Sequence, residues 1–318
     1  MKKMINQEVV AGYVYQLCDS NGRNKLELKT VKNEKSENFG KEFIGGTIAV
    51  AVDEDGLNII EVHYSYVTPT TKNGSTNSTF TNLKKIITEG KTWLECGKDA
   101  TKVKLEPALA LNDFVTKENE IASAKINEGG FVTIINELPP ESERNCFTTD
   151  MVITRVTHVE ADPEKNIDND YVVLRGAVFN FRGEVLPVDF LVKNPAGMEH
   201  FESMDISSSN PVLTKVWGRI NCETKTTVKE EESAFGSAAV KTYTRKTKEY
   251  IVTGTAKSPY EFGEEGVLTV DELQKAMQDR EVHLAEVRKK DDEYKTSRNT
   301  PAAAPASAKK VPTGDFKF

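Results

Sequence analysis

The feature that most constrains the fold is an order of predicted elements that occurs twice along the chain. Three strands, a short helix and two further strands are predicted between residues 9 and 135, and the same order returns between residues 150 and 254. Runs of apolar and β-branched residues mark the strands, and turns such as "SNGRN", "DEDG" and "FRGE" separate them. The two copies share little residue identity, so the repeat is one of pattern.

The position of the helix in each copy indicates the kind of fold. A helix between the third and fourth strands of a five-stranded unit is the arrangement of the OB-fold, a small Greek-key barrel. We therefore predict a mainly β protein of two tandem OB-fold-like five-stranded barrels, followed by a C-terminal helix and a disordered tail. The predicted boundaries are 1–145 for the first barrel, 146–257 for the second, 258–297 for an acidic amphipathic helix region and 298–318 for a flexible tail.

The C-terminal region differs in character from the strands before it. Thr269 and Glu272 have the spacing of a capping box, which predicts a helix start at "LTVDELQKAMQDREVHLAEVRKK". The segment after it is rich in Pro, Ala, Ser and Lys, which bury too little apolar surface to order a chain. We therefore expect a helix and then a flexible tail.

Motifs and cysteine spacing argue against an enzyme. The four cysteines are scattered without metal-ligand spacing, and the chain has no phosphate-binding loop, zinc-protease or hydrolase motif. A hydrolase built on Asp53, Asp55 and Asp113 has no metal-like spacing behind it. The sequence has no run of about 18 apolar residues, the length that could span a membrane. We expect a non-enzymatic protein of a reducing cytoplasm, without metal or cofactor.

Charge is distributed unevenly along the chain. The net charge is −7, which argues against indiscriminate binding of nucleic acid by the whole surface. Residues 211–257 nevertheless hold nine Lys or Arg against five Glu, and residues 261–293 hold eleven acidic residues against five basic ones. The pattern predicts a basic strand region followed by an acidic helix.

Three predicted strands combine aromatic and basic side chains on one face. Aromatic rings stack on any base, and neighbouring cations hold backbone phosphates, a combination that suits an unpaired strand. The same residues would also be explained by a barrel core or a solvated edge, and the sequence leaves these alternatives open. The candidates are Arg175, Phe179 and Phe181; Lys215, Trp217 and Arg219; and Lys241, Tyr243 and Arg245.

The phrases "YVVLRGAVFNFRGEVLPVDFLVKNPAGMEHFESMD", "LTKVWGRI", "TYTRKTKEYIVTG" and "KVKLEPALALNDF" resemble the OB-fold single-stranded DNA-binding proteins of bacterial viruses, over roughly residues 45–255. The resemblance implies a protein that coats exposed strands in viral DNA replication or recombination, within the host cell cytoplasm. It implies strand contacts at seven of the nine candidates: Arg175, Phe179, Phe181, Trp217, Arg219, Tyr243 and Arg245. It implies a tail that binds replication or recombination proteins through Asp315, Phe316 and Phe318. The tail departs from the family pattern because it lacks a dense acidic cluster before the last phenylalanine.

A second function class explains the same composition. Tail, baseplate and capsid-decoration proteins of phages are also β-rich, acidic and free of catalytic motifs. The sequence leaves homo-oligomerisation open under either interpretation, and it does not separate DNA from RNA as the ligand.

Overall fold

The computed structural model describes residues 4–19, 21–162, 164, 167–231, 239–264 and 266–299, and for 224–231, 239–246 and 298–299 it describes the backbone alone. Short 3-10 turns lie at Gly97–Asp99 and Glu141–Glu143. In chain order the strands and helices are β1 (Asn6–Gln16), β2 (Leu26–Thr30), β3 (Glu42–Ala51), β4 (Ile59–Val67), α1 (Ser78–Glu89), α2 (Trp93–Cys96), β5 (Lys102–Val115), β6 (Ile121–Ile134), β7 (Asn145–Val159), β8 (Tyr171–Phe179), β9 (Val185–Val192), α3 (Pro195–Glu202), β10 (Val212–Glu231), β11 (Ala239–Thr255) and α4 (Val270–Asn299).

Strand pairing closes two rings of five strands. In the first ring, β1 pairs with β3, β3 with β4, β4 with β6, β6 with β5, and β5 with β1. In the second ring, β7 pairs with β8, β8 with β9, β9 with β11, β11 with β10, and β10 with β7. The pairs β4–β6 and β9–β11 are parallel and the others are antiparallel. The strand β2 adds to the outer edge of β3.

The two rings are not separate sheets. The first half of β1 pairs with β7, from Asn6 opposite Thr149 to Val10 opposite Asn145, while its second half pairs with β3 from Tyr13 onward. All eleven strands therefore belong to one hydrogen-bonded sheet. The mainly β fold and the C-terminal helix are confirmed. The prediction of two tandem barrels needs correction to this extent, because a single strand serves both rings.

Close approach of strands within the rings depends on glycine. A Cβ atom at Gly12 would lie 2.0 Å from the carbonyl oxygen of Ala51, and one at Gly176 would lie 2.0 Å from the carbonyl oxygen of Val152. Only a residue without a side chain allows backbones to approach this closely. Inside the rings one continuous apolar core spans both, and its largest aromatic cluster joins Phe147, Phe190 and Tyr250 with centroids 5.1–5.3 Å apart.

A second, smaller core lies on the outer wall of the second ring. It joins Val152 of β7, Ala177 and Phe179 of β8 and Leu213 of β10 with Leu268, just before α4. Tyr260, Phe262, Leu273 and Ala276 pack against it. The C-terminal segment therefore covers part of this wall and anchors the start of α4.

The helix α4 begins as predicted and then follows the β5–β6 hairpin. The backbone N–H of Glu272 donates to Thr269 Oγ1 at 3.1 Å, and the N–H of Thr269 donates to Glu272 Oε2 at 3.0 Å, which completes the capping box. Farther along, Arg280 binds Asp113 of β5, and Arg288 Nη2 donates to the carbonyl oxygen of Asn119 in the hairpin turn. Of the predicted tail, residues 300–318 lie outside the described residues. Within the described ranges, no helix is long and apolar enough to cross a lipid bilayer.

Candidate nucleic-acid interface

Three candidates share one row on β10. Lys215, Trp217 and Arg219 alternate with buried residues, and the Trp217 side chain is 41% exposed. Trp217 lies opposite Gly254 of β11, where an added Cβ would fall 2.4 Å from the indole Nε1. The glycine therefore leaves the space in which the indole lies across the neighbouring strand. One edge of a large aromatic ring remains available to solvent.

The two cations of this row differ in how firmly they are held. Arg219 Nη2 donates to Asn145 Oδ1 at 2.6 Å and to the carbonyl oxygen of Glu141 at 2.8 Å. Lys215 is half-buried and lies opposite Asp150 of β7 in the ladder. The guanidinium is thus positioned by structural contacts beside the indole.

On β8, Arg175 is exposed and forms a two-bond fork with Asp189 of β9, at 3.0 and 3.2 Å. Hydrogen bonding to Asp189 raises the pKa of Arg175, so its charge is fixed. Directly opposite in the ladder lies Arg155 of β7, an exposed side chain that the sequence analysis did not select. Among the described residues Arg155 has no ion-pair partner, so it brings an uncompensated positive charge to this part of the wall.

The two phenylalanines predicted on β8 have different environments. Phe179 is fully buried in the smaller core, so the prediction that it stacks on a base is wrong. Phe181 is 76% exposed in the β8–β9 turn, with the Arg182 guanidinium 5.2 Å from its ring centroid. Phe179 lies on the same face of β8 as the exposed Arg175, but the C-terminal segment covers that face at Phe179.

The remaining candidates cannot be located as side chains. The backbones of Lys241, Tyr243 and Arg245 lie in β11. Their side chains lie outside the described part of the structure, as do Asp315, Phe316 and Phe318 of the tail. Contacts to nucleic acid at these positions stay predictions.

The structure adds an aromatic pair on the first ring that the sequence analysis missed. The rings of Phe43 on β3 and Tyr66 on β4 lie 4.7 Å apart at 37°, and Tyr66 is 45% exposed. On the other side of Phe43, Lys29 of β2 is its cross-strand neighbour and is exposed. The available signal was an aromatic residue at the end of each of two predicted strands, in "EFIGG" and "HYSYV".

These surfaces combine exposed aromatic side chains with Lys and Arg side chains. Exposed aromatic faces bind planar groups, and nearby Lys or Arg binds phosphate. In the described part of the chain, no three His, Cys, Asp or Glu side chains are grouped so as to hold a metal ion.

Comparisons with known proteins give a family and a distant structural likeness. No curated protein sequence matches the chain. Among solved structures, the chain is similar to a deletion mutant of the single-stranded DNA-binding protein from Thermus aquaticus, with 11% identity, 83% of this chain and 98% of that chain covered, and a TM-score of 0.46. A family model described as YorF matches residues 22–290. Since that match takes in most of the chain, the protein belongs to the YorF family.

Proposed function

We propose that the protein binds single-stranded DNA, without catalysing a reaction, and coats exposed strands in bacteriophage replication or recombination. The observation that carries the proposal is the exposed indole of Trp217, flanked in its row on β10 by Lys215 and Arg219. Such a row binds one base by stacking and the neighbouring phosphates by charge. An unpaired strand offers both groups at once, whereas a duplex hides its base faces.

Strand order supports the same proposal. The strands of each ring can be numbered one to five in chain order, with β2 left out. Around each ring, the order of hydrogen-bonded neighbours is then first, second, third, fifth and fourth strand. The helices α1 and α3 each lie between the third and fourth strands. We take each ring to be an OB-type barrel, in which the second and third strands and the loop between the fourth and fifth bind oligonucleotides. Phe43 and Tyr66 lie on the second and third strands of the first ring.

Salt-dependent binding to a labelled oligo-dT tests the proposal directly. Phosphate contacts release counterions, so affinity falls as salt rises. We expect fluorescence anisotropy to report binding tighter than micromolar at low salt, weaker binding at high salt, and poor competition by duplex DNA. Binding that is micromolar or weaker at low salt, or equal affinity for duplex, contradicts the proposal. A single-stranded RNA competitor separates DNA from RNA.

The aromatic pair of the first ring gives a separate expected result. Replacement of Tyr66 with alanine removes an exposed ring that contacts Phe43 and is expected to weaken oligo-dT binding by roughly tenfold. The same assay measures this loss. Leu57→Ala, an exposed apolar side chain in the β3–β4 turn, is the control and should bind as the unsubstituted protein does. Unchanged affinity of Tyr66→Ala would confine strand contacts to the second ring.

The tail completes the proposal. We propose that Asp315, Phe316 and Phe318 bind replication or recombination proteins and that the protein acts in the host cytoplasm. Sedimentation without DNA tests the competing class, because a fixed multimer that does not bind oligo-dT would favour a phage structural component. Deletion of residues 300–318 is expected to leave oligo-dT affinity in place while abolishing capture of the partner.

A further inference from the structure

A buried carboxyl group lies where the two rings meet. Glu8 of β1 is 2% exposed, and its Oε1 lies 2.7 Å from the hydroxyl oxygen of Tyr250 on β11. The same hydroxyl lies 2.8 Å from Oδ1 of Asn127 on β6. Glu8 and Asn127 belong to the first ring and Tyr250 to the second, so this chain of oxygens joins the rings.

Hydrogen-bond accounting fixes the orientation of Asn127. Its Nδ2 donates to the carbonyl oxygen of Glu61 at 3.0 Å, and its Oδ1 accepts from Lys248 Nζ at 2.5 Å. A carbonyl oxygen needs a donor and an ammonium group needs an acceptor, so reversing the amide would break both bonds. The atom of Asn127 that faces Tyr250 is therefore an oxygen.

The orientation of Asn127 determines where the hydroxyl proton of Tyr250 lies. A tyrosine hydroxyl has one proton, and its oxygen lies within hydrogen-bond distance of two other oxygens. If the proton points to Asn127 Oδ1, the short contact to Glu8 Oε1 requires a proton from Glu8. If it points to Glu8 instead, two oxygens face each other at 2.8 Å with no proton between them. The arrangement that satisfies both contacts has a protonated Glu8.

Among the described residues, no cation forms a direct ion pair with Glu8. Lys248 Nζ binds Asn127 Oδ1 and the carbonyl oxygen of Lys125, and Lys125 Nζ binds the carbonyl oxygen of Asp189 on β9. The other oxygen of Glu8, Oε2, is buried without a hydrogen-bond partner among the described residues. The remaining titratable groups that act on Lys248 are Cys222 of β10 and Glu61 of β4.

Burial and charge favour the same protonation state. Loss of hydration raises the pKa of Glu8 to about 7, against the smaller opposing effects of Lys248 and of the Tyr250 hydrogen bond. Burial also lowers the pKa of Lys248, although Glu8 and Cys222 oppose this shift. An ionised Glu8 would be a desolvated charge without a direct ion pair in the described part of the chain.

We propose that Glu8 carries a proton in the assembled protein and that loss of this proton loosens the contact between the two rings. On ionisation Tyr250 turns its proton to the carboxylate, and its oxygen then faces Asn127 Oδ1 with nothing between them. The hydrogen bonds among Glu8, Tyr250 and Asn127 therefore join the two rings only while Glu8 is protonated. We call this contact the proton-dependent lock, and it does not depend on any ligand bound to the outer surface of the rings.

The sign of the pH effect follows from the two states. Glu8 has a higher pKa in the folded protein than in the unfolded chain, so the folded state binds more protons between those values. Its contribution to stability is complete below the unfolded pKa of 4.5 and is lost as pH rises to about 7. Stability should therefore fall across this interval and level off above it.

Urea unfolding between about pH 5 and pH 9 tests the lock with Glu8→Gln. Glutamine resembles a protonated carboxyl group, since its amide N–H donates to the Tyr250 oxygen as the acid would. We expect the urea midpoint of the unsubstituted protein to fall as pH rises toward 8. The midpoint of Glu8→Gln should change much less with pH and should be higher than that of the unsubstituted protein at pH 8. The exposed control Glu34→Gln should follow the unsubstituted protein. An undiminished fall in Glu8→Gln overturns the proposal.

A measurement on the unsubstituted protein keeps the test valid if Glu8→Gln does not fold. NMR of the protein with ¹³C-labelled glutamate carboxyl groups should show one carboxyl that titrates near pH 7, far above the ordinary glutamate value. Amide hydrogen exchange, corrected for its intrinsic rate, should show faster opening at Asn127 and Tyr250 above that pH. Titration of every glutamate below about pH 6 rejects the protonated Glu8.

Discussion

Trp217→Ala is expected to weaken oligo-dT binding by about 1–3 kcal/mol, roughly five- to 150-fold, while leaving the protein folded. The indole is 41% exposed and lies over Gly254 rather than inside a ring, so its removal opens no core cavity. The loss comes from one stacked base and from the aromatic surface between Lys215 and Arg219. Anisotropy titration at a single low salt concentration measures it, and urea unfolding confirms that stability changes little.

Two further variants decide whether stacking is the cause. Trp217→Phe keeps an aromatic face and should recover most of the affinity. Phe131→Ala removes a more exposed ring, on β6 opposite Glu106, and serves as the matched control away from the basic row. An equal loss of affinity in Trp217→Ala and Phe131→Ala would mean that any exposed aromatic side chain contributes to binding in the same way. If Trp217→Ala binds oligo-dT as tightly as the unsubstituted protein, the row of Lys215, Trp217 and Arg219 is not part of the binding site.

Local pattern predicted the elements of this fold better than the way they join. Strand alternation and turn residues located ten of the strands, and the capping box located the start of α4. The shared use of β1 was not predictable, because its partner β7 begins at Asn145 and nothing in "NQEVVAGYVYQ" indicates a second ladder. The edge strand β2 was missed because "LELKT" is short and mostly polar.

The site shows the same limit at the level of single side chains. Alternation predicts that Phe179 shares a face of its strand with Arg175, but Phe179 is buried with Leu268 and Tyr260, which lie about 80 to 90 residues farther along the chain. Glu8 shows the reverse case, since an acidic residue at the start of a strand indicates solvent. It is buried because a second ring packs against it. Burial by distant segments leaves no local signal in a single sequence.

The other large effect is expected at Asp113, which holds α4 on the β5–β6 hairpin. Its carboxylate is 5% exposed and accepts from Arg280 Nη1 at 2.7 Å, Arg280 Nη2 at 2.5 Å and Ser123 Oγ at 2.6 Å. Burial acts to raise the pKa of Asp113, but these hydrogen bonds and the charge of Arg280 outweigh it and lower the pKa. The stabilisation is therefore complete above the unfolded pKa of 3.8 and is lost as pH falls through the lower, folded value.

Asp113→Ala leaves the Arg280 guanidinium, itself only 10% exposed, without its partner. Removing one member of a buried ion pair costs about 3 kcal/mol or more, so we expect α4 to leave the hairpin. Limited trypsin digestion at Arg288, Lys289 and Lys290 and hydrogen exchange along α4 measure this release.

The control is His283→Ala, because His283 contacts the same carboxylate at 3.2 Å but is 52% exposed and should cost about 1 kcal/mol or less. A double change of Asp113→Leu with Arg280→Met should regain most of the loss, since an apolar pair removes both buried charges. If Asp113→Ala is no more sensitive to trypsin than His283→Ala, the apolar contacts of Leu273 and Ala276 hold the helix instead.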